Sequence, residues 1–548
     1  MNRPTKVILL ILTVILLFAS AIQQQTGLFK CKELNGVDYE RPKPELSFKT
    51  FCDGSYQKQT ENYLQYHYGF REPLTRLYNQ TVWSLYRYSS VEEKKRIMIA
   101  KDNWLFEPWT VEEYYESCAY KIADDSLSAA KIFNAEAKRL YQIQRILEPY
   151  GTHLFVALWP GKELVCSDHM PANKQFFNKK QLTALEHYSK RFGELGVNHV
   201  NFGEWFVQLK DTVSFPLFPQ TGTHWSNLAA IHVADSLVNY LEALGDINMH
   251  NVEIGPVFQR TLKPDADLES LMNLIWPLKK QPNMLAQATC DHDSTALKPT
   301  LITIGDSFYW NILNFVPIMQ IFEKVPYWYY FSSAIYDPPE TNVADKDIVK
   351  EMIEADFIML AYGTTQLYKM SNGFSIRALL ELCYDDDEIT SGKAMARKDF
   401  ESDSVMVAKA KMRAEEENDP LDVAMDDEFD EWINTHLEDY FPDLRDSVPL
   451  RRSLRARCHA GDSLAFVEWE IQKEMNKIRG NEKLMEQVRE KARNRGYDEA
   501  TMVRLDARWI VNRKITEGIL VFQDKPKKRL TTNLDSEIET RGESAEIW

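Results

Sequence analysis

The sequence predicts an α/β protein whose central region is a parallel sheet covered by helices on both faces. Apolar strand segments alternate with amphipathic helices through this region, as βαβ units require. An apolar segment at the start predicts an N-terminal membrane helix, and the last third is helical without strand signals. The 548 residues therefore divide into a signal-anchor or signal peptide (1–25), a helical extension (26–94), the α/β domain (95–380), an acidic connector (381–450) and a helical C-terminal region (451–548).

Each predicted element has its own local signal. Apolar residues near a spacing of 3.6 predict helices over 56–100, Ser128–Gly151, Gln181–Leu195 and Asn227–Leu244. Short, mostly apolar runs predict strands at Leu154–Leu158, Pro299–Ile304 and Asp356–Ala361, and the segment VNHVNF predicts another at Val197–Phe202. Strands without a polar side belong inside a sheet covered on both faces, which favours the parallel arrangement.

The N-terminal segment predicts export. Arg3 and Lys6 precede the apolar run Val7–Phe18, which continues to Ile22. A basic flank, a run of this length and small residues at 19–21 are typical of a signal peptide. As a membrane anchor the run is slightly shorter than the roughly 17–25 residues that span a bilayer. The basic flank stays in the cytoplasm, so we expect a single-pass inner-membrane protein with a periplasmic main domain, or a periplasmic protein if the leader is cleaved.

The charge and the cysteines exclude two classes of protein. The net charge is −16, and sixteen acidic against six basic residues between Tyr384 and Asp430 supply −10 of it. An acidic chain is a poor nucleic-acid ligand, and we interpret the acidic stretch as a solvated connector. Seven cysteines are too few for a disulfide scaffold. Cys31 and Cys52 are a possible disulfide pair, Cys118 has no partner pattern, and no cofactor or metal site is predicted.

The segment PTLITIGDSFYW is the strongest candidate for chemistry. A buried strand enters Gly305-Asp306-Ser307, and a helix can begin directly behind it. A serine at a strand-to-helix turn presents its hydroxyl near the backbone N–H groups of a helix N-terminus, which stabilise an oxyanion. The alternative is an ordinary turn with a helix cap.

A serine nucleophile needs a base, and His224 is the histidine best placed to supply one. It lies in a polar turn, TGTHWS, directly before the helix at Asn227. A solvent-exposed histidine near a helix cap is the alternative.

The order of the motifs resembles one known family. After the apolar leader come YLQYHYGFREPL (63–74), KDNWLF (101–106), LWPGKELV (158–165), TGTHWS (221–226) and the strand with GDSF (305–308). This pattern, over about residues 1–375, resembles the SGNH-hydrolase-like proteins of the alginate O-acetyltransferase (DHHW) family. It implies a flavodoxin-like SGNH fold and acetylation of an exported polysaccharide, with a multi-span membrane-bound O-acyltransferase as the partner that delivers the acetyl group.

The resemblance also implies roles for individual residues. Ser307 matches the nucleophile and His224 the general base. The family carries an aspartate two residues before the histidine, whereas this chain has Gly222. A carboxylate from elsewhere, a slower Ser–His dyad, or a degenerate site would each account for this departure.

Weaker candidates surround the same turn and the neighbouring strand ends. For the oxyanion or the substrate they are Gly305, Asp306, Thr364, Lys162 and Trp225. Lys162 follows a strand end and could hold an anionic sugar, although a solvated loop lysine is the plainer interpretation. Trp225 could stack on a sugar ring or fill the core.

These features leave three hypotheses about function. The first is an O-acetyltransferase, or an acetylesterase, that works through Ser307 and His224 on a cell-envelope polysaccharide. The second is a catalytically degenerate subunit that binds glycan or scaffolds the acetylation system. The third is a structural envelope protein, for which Ser307 and His224 should lie far apart.

Overall fold

A seven-stranded mixed sheet forms the centre of the α/β domain. Its strands are β1 (His153–Trp159), β2 (His199–Asn201), β3 (Leu301–Gly305), β4 (Tyr327–Tyr329), β5 (Ser333–Ile335), β6 (Thr341–Asn342) and β7 (Phe357–Gly363). Their spatial order is β6-β5-β4-β3-β7-β1-β2. The five strands from β4 to β2 are parallel, and β5 and β6 add an antiparallel edge. The predicted α/β fold is confirmed, and all four predicted strands lie in the parallel part.

The computed structural model describes residues 3–37, 43–89, 91, 97–116, 126–170, 183–260, 262–417 and 419–522. The helices before the sheet are α1 (Arg3–Thr26), α2 (Phe48–Cys52), α3 (Ser55–His67), α4 (Arg71–Tyr86), α5 (Pro108–Glu116) and α6 (Ser126–Leu147). Those within the sheet region are α7 (Lys162–Val165), α8 (Ala184–Leu195), α9 (Phe202–Leu209), α10 (Asn227–Gly245), α11 (Asp267–Leu271), α12 (Tyr309–Phe315), α13 (Ile318–Ile321), α14 (Ile348–Glu354) and α15 (Phe374–Cys383).

The remaining elements lie outside the main sheet or after it. The later helices are α16 (Asp386–Ser402), α17 (Ser404–Glu417), α18 (Leu421–Tyr440), α19 (Leu454–His459), α20 (Ser463–Arg479), α21 (Glu482–Arg495) and α22 (Glu499–Thr516). Three small antiparallel ladders pair Met98–Ile99 with Leu105–Phe106, Val252–Ile254 with Ala288–Cys290, and Phe258–Gln259 with Met284–Leu285. The 3-10 segments are Lys101–Asn103, Glu148–Tyr150, Ser167–His169, Pro264–Ala266, Val343–Asp345, Thr364–Gly373 and Pro442–Arg445.

The sheet separates two hydrophobic cores, and β1 contributes to both because successive side chains point to opposite faces. Leu154, Val156 and Leu158 pack with α6 and α8 on one face. Phe155, Ala157 and Trp159 pack with α9 and α10 on the other. Burial on both faces explains why β1, β3 and β7 contain few polar residues, and it leaves the loops at their carboxyl ends to carry polar function.

The acidic stretch is not the solvated connector that we predicted. It forms the three helices α16, α17 and α18, and Ala396, Ile433 and Leu437 are buried in the core shared with the sheet. Its charges form pairs within the region, for example Arg413 with Glu428. An acidic composition with an apolar residue every third or fourth position is compatible with a packed helix, because only one face needs to be buried.

The C-terminal helices α20, α21 and α22 have a small core of their own, centred on Ile471, Val488 and Val511. The predicted C-terminal region also includes residues 523–548, which lie outside the described residues.

The N-terminal predictions require two corrections. Residues Arg3–Thr26 are helical, but no helix among the described residues is long and apolar enough to cross a membrane. The predicted membrane helix is therefore unsupported. Cys31 and Cys52 are both free thiols rather than a disulfide pair. Cys118 lies outside the described residues.

Candidate active site

The hydroxyl of Ser307 and the imidazole of His224 are in direct contact. Ser307 Oγ lies 2.9 Å from His224 Nε2. Ser307 follows β3 and precedes α12, whereas His224 lies in the loop before α10, so strand ends and helix starts meet here. This distance suits proton transfer between a nucleophile and its base. It contradicts the structural envelope hypothesis, which requires the two residues to lie far apart.

A carboxylate completes the constellation, and it comes from a segment that the sequence did not single out. Asp267, the first residue of α11, places Oδ2 at 3.4 Å from His224 Nδ1. Its other oxygen accepts the backbone N–H of Thr223 at 2.9 Å and that of Leu268 at 2.7 Å. These two bonds fix the carboxylate beside the ring nitrogen that faces away from Ser307. Asp267 therefore occupies the orienting position of a Ser-His-Asp arrangement.

Gly222 has no room for the side chain that the family pattern would place there. A Cβ at this position would lie 2.9 Å from the carbonyl carbon and oxygen of Asp265 and 2.9 Å from the Pro219 ring. Real Cβ atoms do not approach backbone this closely. The segment that brings Asp267 to His224 thus occupies the space beside Gly222, so the loss of one aspartate and the position of the other are structurally linked.

Lys162 is buried beside the site, and all three N–H groups of its ammonium are bonded to the protein rather than available to a substrate. Its side chain is only 4% exposed. Nζ donates to the carbonyls of Leu105 at 2.7 Å, Gln220 at 3.2 Å and Gly222 at 2.7 Å. Burial lowers its pKa to about 8. The predicted role in holding an anionic sugar is therefore wrong, because all three donors tie the His224 loop to the neighbouring ladder.

Asp306 and Gly305 hold the turn that carries Ser307. The Asp306 carboxylate accepts the backbone N–H of Gly363 at 2.6 Å and of Phe308 at 3.1 Å, and burial raises its pKa to about 6. Gly305 permits close packing of β3 on β7, since a Cβ there would overlap the carbonyl oxygen of Ala361. Neither donates towards an oxyanion, so both position the turn rather than stabilise a reacting group as we had expected.

Thr364 lies at the carboxyl end of β7 and faces the cavity beside Ser307. Its hydroxyl donates to the Glu163 carboxylate. Burial raises the pKa of Glu163 to about 7, while the bond from Thr364 opposes that rise. A Cβ at Gly161 would overlap both side-chain groups, which explains the Pro-Gly step before Lys162. Thr364 is near the predicted site, with its hydroxyl already bonded to the protein.

Trp225 is fully buried, so its predicted role in stacking on a sugar is wrong. Its ring packs edge-on against Trp159 at 5.1 Å and against Phe308 at 5.5 Å between centroids. The side chain fills the core beneath the His224 loop, which was the plainer of the two sequence interpretations.

A cavity of about 340 Å³ opens above Ser307 and His224. Its wall includes Glu107, Trp109 and Tyr330, none of which was predicted as a site residue. Burial raises the pKa of Glu107; polar contacts from Trp109 and Thr223 oppose the rise, and the negative charge of Asp267 adds to it. Tyr330 adopts a left-handed backbone (φ 47°) next to Ser307, a conformation that is costly for a non-glycine residue and is concentrated at functional sites.

The comparison with protein families agrees with this geometry. Residues 97–320 match the family model described as an SGNH hydrolase-like domain of the acetyltransferase AlgX. This region is similar to the SGNH hydrolase-like domain that the family model describes. The match contains Ser307, His224 and Asp267, whereas β4 to β7 and all later helices lie beyond it.

The solved structures to which this chain is similar have low sequence identity. The O-acetyltransferase domain of Pseudomonas putida AlgJ is 14% identical with a TM-score of 0.34, covering 52% of this chain and 98% of that one. Pseudomonas aeruginosa AlgX is 13% identical with a TM-score of 0.32, and the match covers 51% of this chain and 65% of that one. The chain therefore spans slightly less than two thirds of the length of AlgX. Bacillus cereus PatB1 is 11% identical with a TM-score of 0.32, and the match covers 50% of this chain and 96% of that one. No curated protein matches the chain by sequence.

The site residues that the sequence did not predict had only weak local signals. Asp267 follows Pro264, Asp265 and Ala266 at the start of a five-residue helix. An acidic residue in the first turn of a helix is common, so the local sequence did not distinguish it as a site residue. Glu107 precedes Pro108 directly after a strand-like run, where a carboxylate is unremarkable. The chain path beside Gly222 is what makes Asp267 part of the site.

Proposed function

We propose that this protein transfers an acetyl group through Ser307, with His224 as the general base and Asp267 orienting the imidazole. The single observation that carries the proposal is the continuous chain of contacts from Ser307 Oγ to His224 and on to Asp267, at the floor of an open cavity. The match of residues 97–320 to an acetyltransferase family model supports acetyl transfer, and we propose a polysaccharide as the acceptor. The degenerate-site hypothesis loses its main support, because the carboxylate missing at Gly222 is supplied by Asp267.

The first half of the reaction loads the enzyme. His224 Nε2 takes the proton of Ser307 Oγ as that oxygen bonds to the carbonyl carbon of an acetyl ester or thioester. The tetrahedral intermediate then expels the donor's alcohol or thiol, which leaves with the proton from His224. Asp267 stabilises the imidazolium that forms between these steps. We expect the backbone N–H of Ser307, at the strand-to-helix turn, to contribute to binding the oxyanion.

The second half delivers the acetyl group. A hydroxyl of the acceptor polysaccharide gives its proton to His224 Nε2 and bonds to the acetyl carbon. The bond to Ser307 Oγ then breaks, and Oγ recovers the proton. Water in place of the acceptor would give the acetylesterase reaction with the same residues.

The test is acetyl turnover by variants of the two reacting residues. Ser307→Ala and His224→Ala are assayed on 4-nitrophenyl acetate, and each should lower kcat by roughly 10⁴ to 10⁶, since such residues act as one unit. The matched controls are Ser294→Ala and His292→Ala, in an exposed turn outside the cavity, and they should retain wild-type rates. Full activity in either site variant, or none in the wild type, would refute the proposal.

We further infer that the protein acts outside the cytoplasm beside a membrane-bound O-acyltransferase that supplies its acetyl group. The basic, apolar start of the chain supports export. An alkaline-phosphatase fusion at residue 522 should be active in intact cells and lose that activity when residues 1–25 are deleted. Equal phosphatase activity in both fusions would contradict export.

A further inference from the structure

A second cavity lies between the α/β domain and the acidic helices. Its volume is about 380 Å³, slightly larger than that of the cavity beside Ser307, and the two cavities share no described wall residue. Residues of α6, α8, α15 and the 3-10 segment Thr364–Gly373 form one side, and residues of α16, α17 and α18 form the other. Small-molecule sites have volumes of roughly 300–1,000 Å³, so the cavity is large enough to hold a ligand.

Two oxygen atoms of this wall have no hydrogen-bond partner among the described residues. One is Oε1 of Glu136 on α6, whose side chain is only 6% exposed. The other is Oδ1 of Asn372 in the 3-10 segment. A buried acceptor without a donor is unfavourable. Because both atoms accept hydrogen bonds and neither can donate one, the ligand that fits them supplies hydrogen-bond donors.

The second oxygen of Glu136 holds the carboxylate in place. Oε2 accepts a hydrogen bond from Arg139 Nη2 and another from Ser375 Oγ, each at 2.7 Å. Arg139 also donates to the backbone carbonyl of Asn434 on α18 at 2.8 Å, so this network joins the two sides of the cavity. Glu136 is therefore a preorganised acceptor, and a ligand loses little free energy in ordering it.

The charges near these acceptors favour hydroxyl donors over ammonium donors. Glu136 already has a positive partner in Arg139, so a second cation at Oε1 would lie close to a like charge. The described wall carries four acidic and four basic side chains, which gives it no net charge to attract an ion of either sign. Hydroxyls suit such a wall because they donate to Glu136 and Asn372 and can accept from the exposed Lys369 and Lys393.

Aromatic rings add an apolar surface to the same wall. Tyr188, Tyr368 and Phe429 line it beside the polar groups. The carbon face of a sugar or cyclic polyol packs on such rings while its hydroxyls form hydrogen bonds. We propose that this cavity binds a small hydroxyl-rich molecule, a free hexose or a cyclic polyol. The proposal goes beyond acetyl transfer and does not depend on it.

The backbone that presents Asn372 has an unusual conformation. Ser371 and Asn372 are both left-handed, with φ of 68° and 47°, directly before Gly373. This conformation is costly for serine and is concentrated at ligand-binding and active sites. The same 3-10 segment begins with Thr364, which lines the cavity beside Ser307. One short segment therefore borders both cavities.

Isothermal titration of the purified full chain tests the proposal. The neutral probes are D-glucose, D-mannose, D-galactose and myo-inositol, and the amine probe is putrescine, which supplies donors without hydroxyls. We expect at least one neutral probe to bind saturably, with one site per chain, and more tightly than putrescine. Binding of no neutral probe, or tighter binding of putrescine than of any of them, would overturn the proposal.

Asn372→Gly shows whether the probe occupies this cavity. The variant removes Oδ1, and glycine tolerates the left-handed backbone at this position, so we expect the fold to be retained. The affinity for the bound probe should fall at least 5-fold because one hydrogen bond is lost. The matched control is Asn103→Gly, another left-handed asparagine (φ 64°) outside the cavity wall, which should bind as the wild type does. Wild-type affinity in Asn372→Gly would overturn the site.

Glu136→Gln is an independent check on the other acceptor. The glutamine carbonyl can take the hydrogen bonds from Arg139 and Ser375, which leaves an amide donor in place of Oε1. The same probe should then bind at least 5-fold more weakly, and a thermal melt reports any loss of stability from the change to the buried ion pair. Unchanged affinity would contradict the role of Glu136.

The two proposals fail in different ways. The titration needs no acetyl donor, so an inactive protein that binds the probe contradicts only the proposed acetyl transfer. Ser307→Ala should bind the probe as the wild type does. Loss of binding in Ser307→Ala would place the probe in the cavity beside Ser307 and overturn the second site, while leaving acetyl transfer intact.

Discussion

The two sides of the candidate site use carboxyl groups in opposite ways. On the His224 side, Asp267 keeps about a third of its side chain exposed and reaches the imidazole across a loose 3.4 Å contact. On the Ser307 side, Asp306 and Glu163 are buried, and their pKa values are raised to about 6 and about 7. Burial disfavours the charged form of Asp306 and Glu163, and both hold backbone or hydroxyl groups in place, whereas Asp267 contacts the imidazole that reacts.

The sharpest way to break this comparison is Asp267→Asn. If Asp267 orients His224, the variant should lower kcat by about 10⁴, as removal of the orienting carboxylate does in related triads, while Tm changes little because the group is partly exposed. Steady-state kinetics on 4-nitrophenyl acetate and a thermal melt are the measurements. The matched control is Asp293→Asn in a surface turn. A loss below 10-fold would assign the site to a Ser–His dyad.

Glu163→Gln tests the buried side through stability. The folded pKa of Glu163 is raised from 4.5 to about 7, so its favourable contribution is present below pH 4.5 and is lost as the pH rises to 7. Glutamine does not ionise, so the variant avoids this loss. Relative to the wild type, its free energy of unfolding should therefore rise by up to about 3 kcal/mol between pH 4.5 and 8.

The corresponding measurement is the difference in Tm between variant and wild type at the two pH values. Glu354→Gln, at an exposed helix end, is the control and should give the same difference at both. A Glu163→Gln difference that shrinks with rising pH would mean that Glu163 is charged and stabilising in the folded protein.

Gly222→Asp tests whether an aspartate at position 222, where the family carries one, is compatible with Asp267 beside His224. The new Cβ would press on the backbone of Asp265, so we expect the free energy of unfolding to fall by about 1–3 kcal/mol. The change should also fail to rescue Asp267→Asn, because a side chain at 222 displaces the segment that it would have to replace. Restored turnover in the double variant would show that position 222 can still serve the family role.

Much of the fold and half of the site could be predicted from local sequence. The strands around Leu154, Ile302 and Ile358 are apolar because both faces are covered. Ser307 could be predicted as a site residue because it comes directly after the turn that ends such a strand. Asp267 could not be predicted in this way, because its distance from His224 depends on a long excursion between α10 and β3. The prediction of a solvated connector was wrong because a high density of charge does not reveal whether one helix face is apolar and buried, as it is at Ile433 and Leu437.

One contact made by the N-terminal extension changes what counts as the functional unit. Asn79 in α4 donates to the Met272 carbonyl at 2.9 Å, and Gln80 accepts the backbone N–H groups of Ile275 and Trp276. Trp83 belongs to the same small buried core as Leu268, the residue after Asp267. The family match begins at residue 97, so Asn79, Gln80 and Trp83 lie before it while their partners lie within it. A chain that begins at residue 97 and is otherwise complete would keep Ser307 and His224 but lose these contacts to the segment that carries Asp267, so we expect it to acylate more slowly.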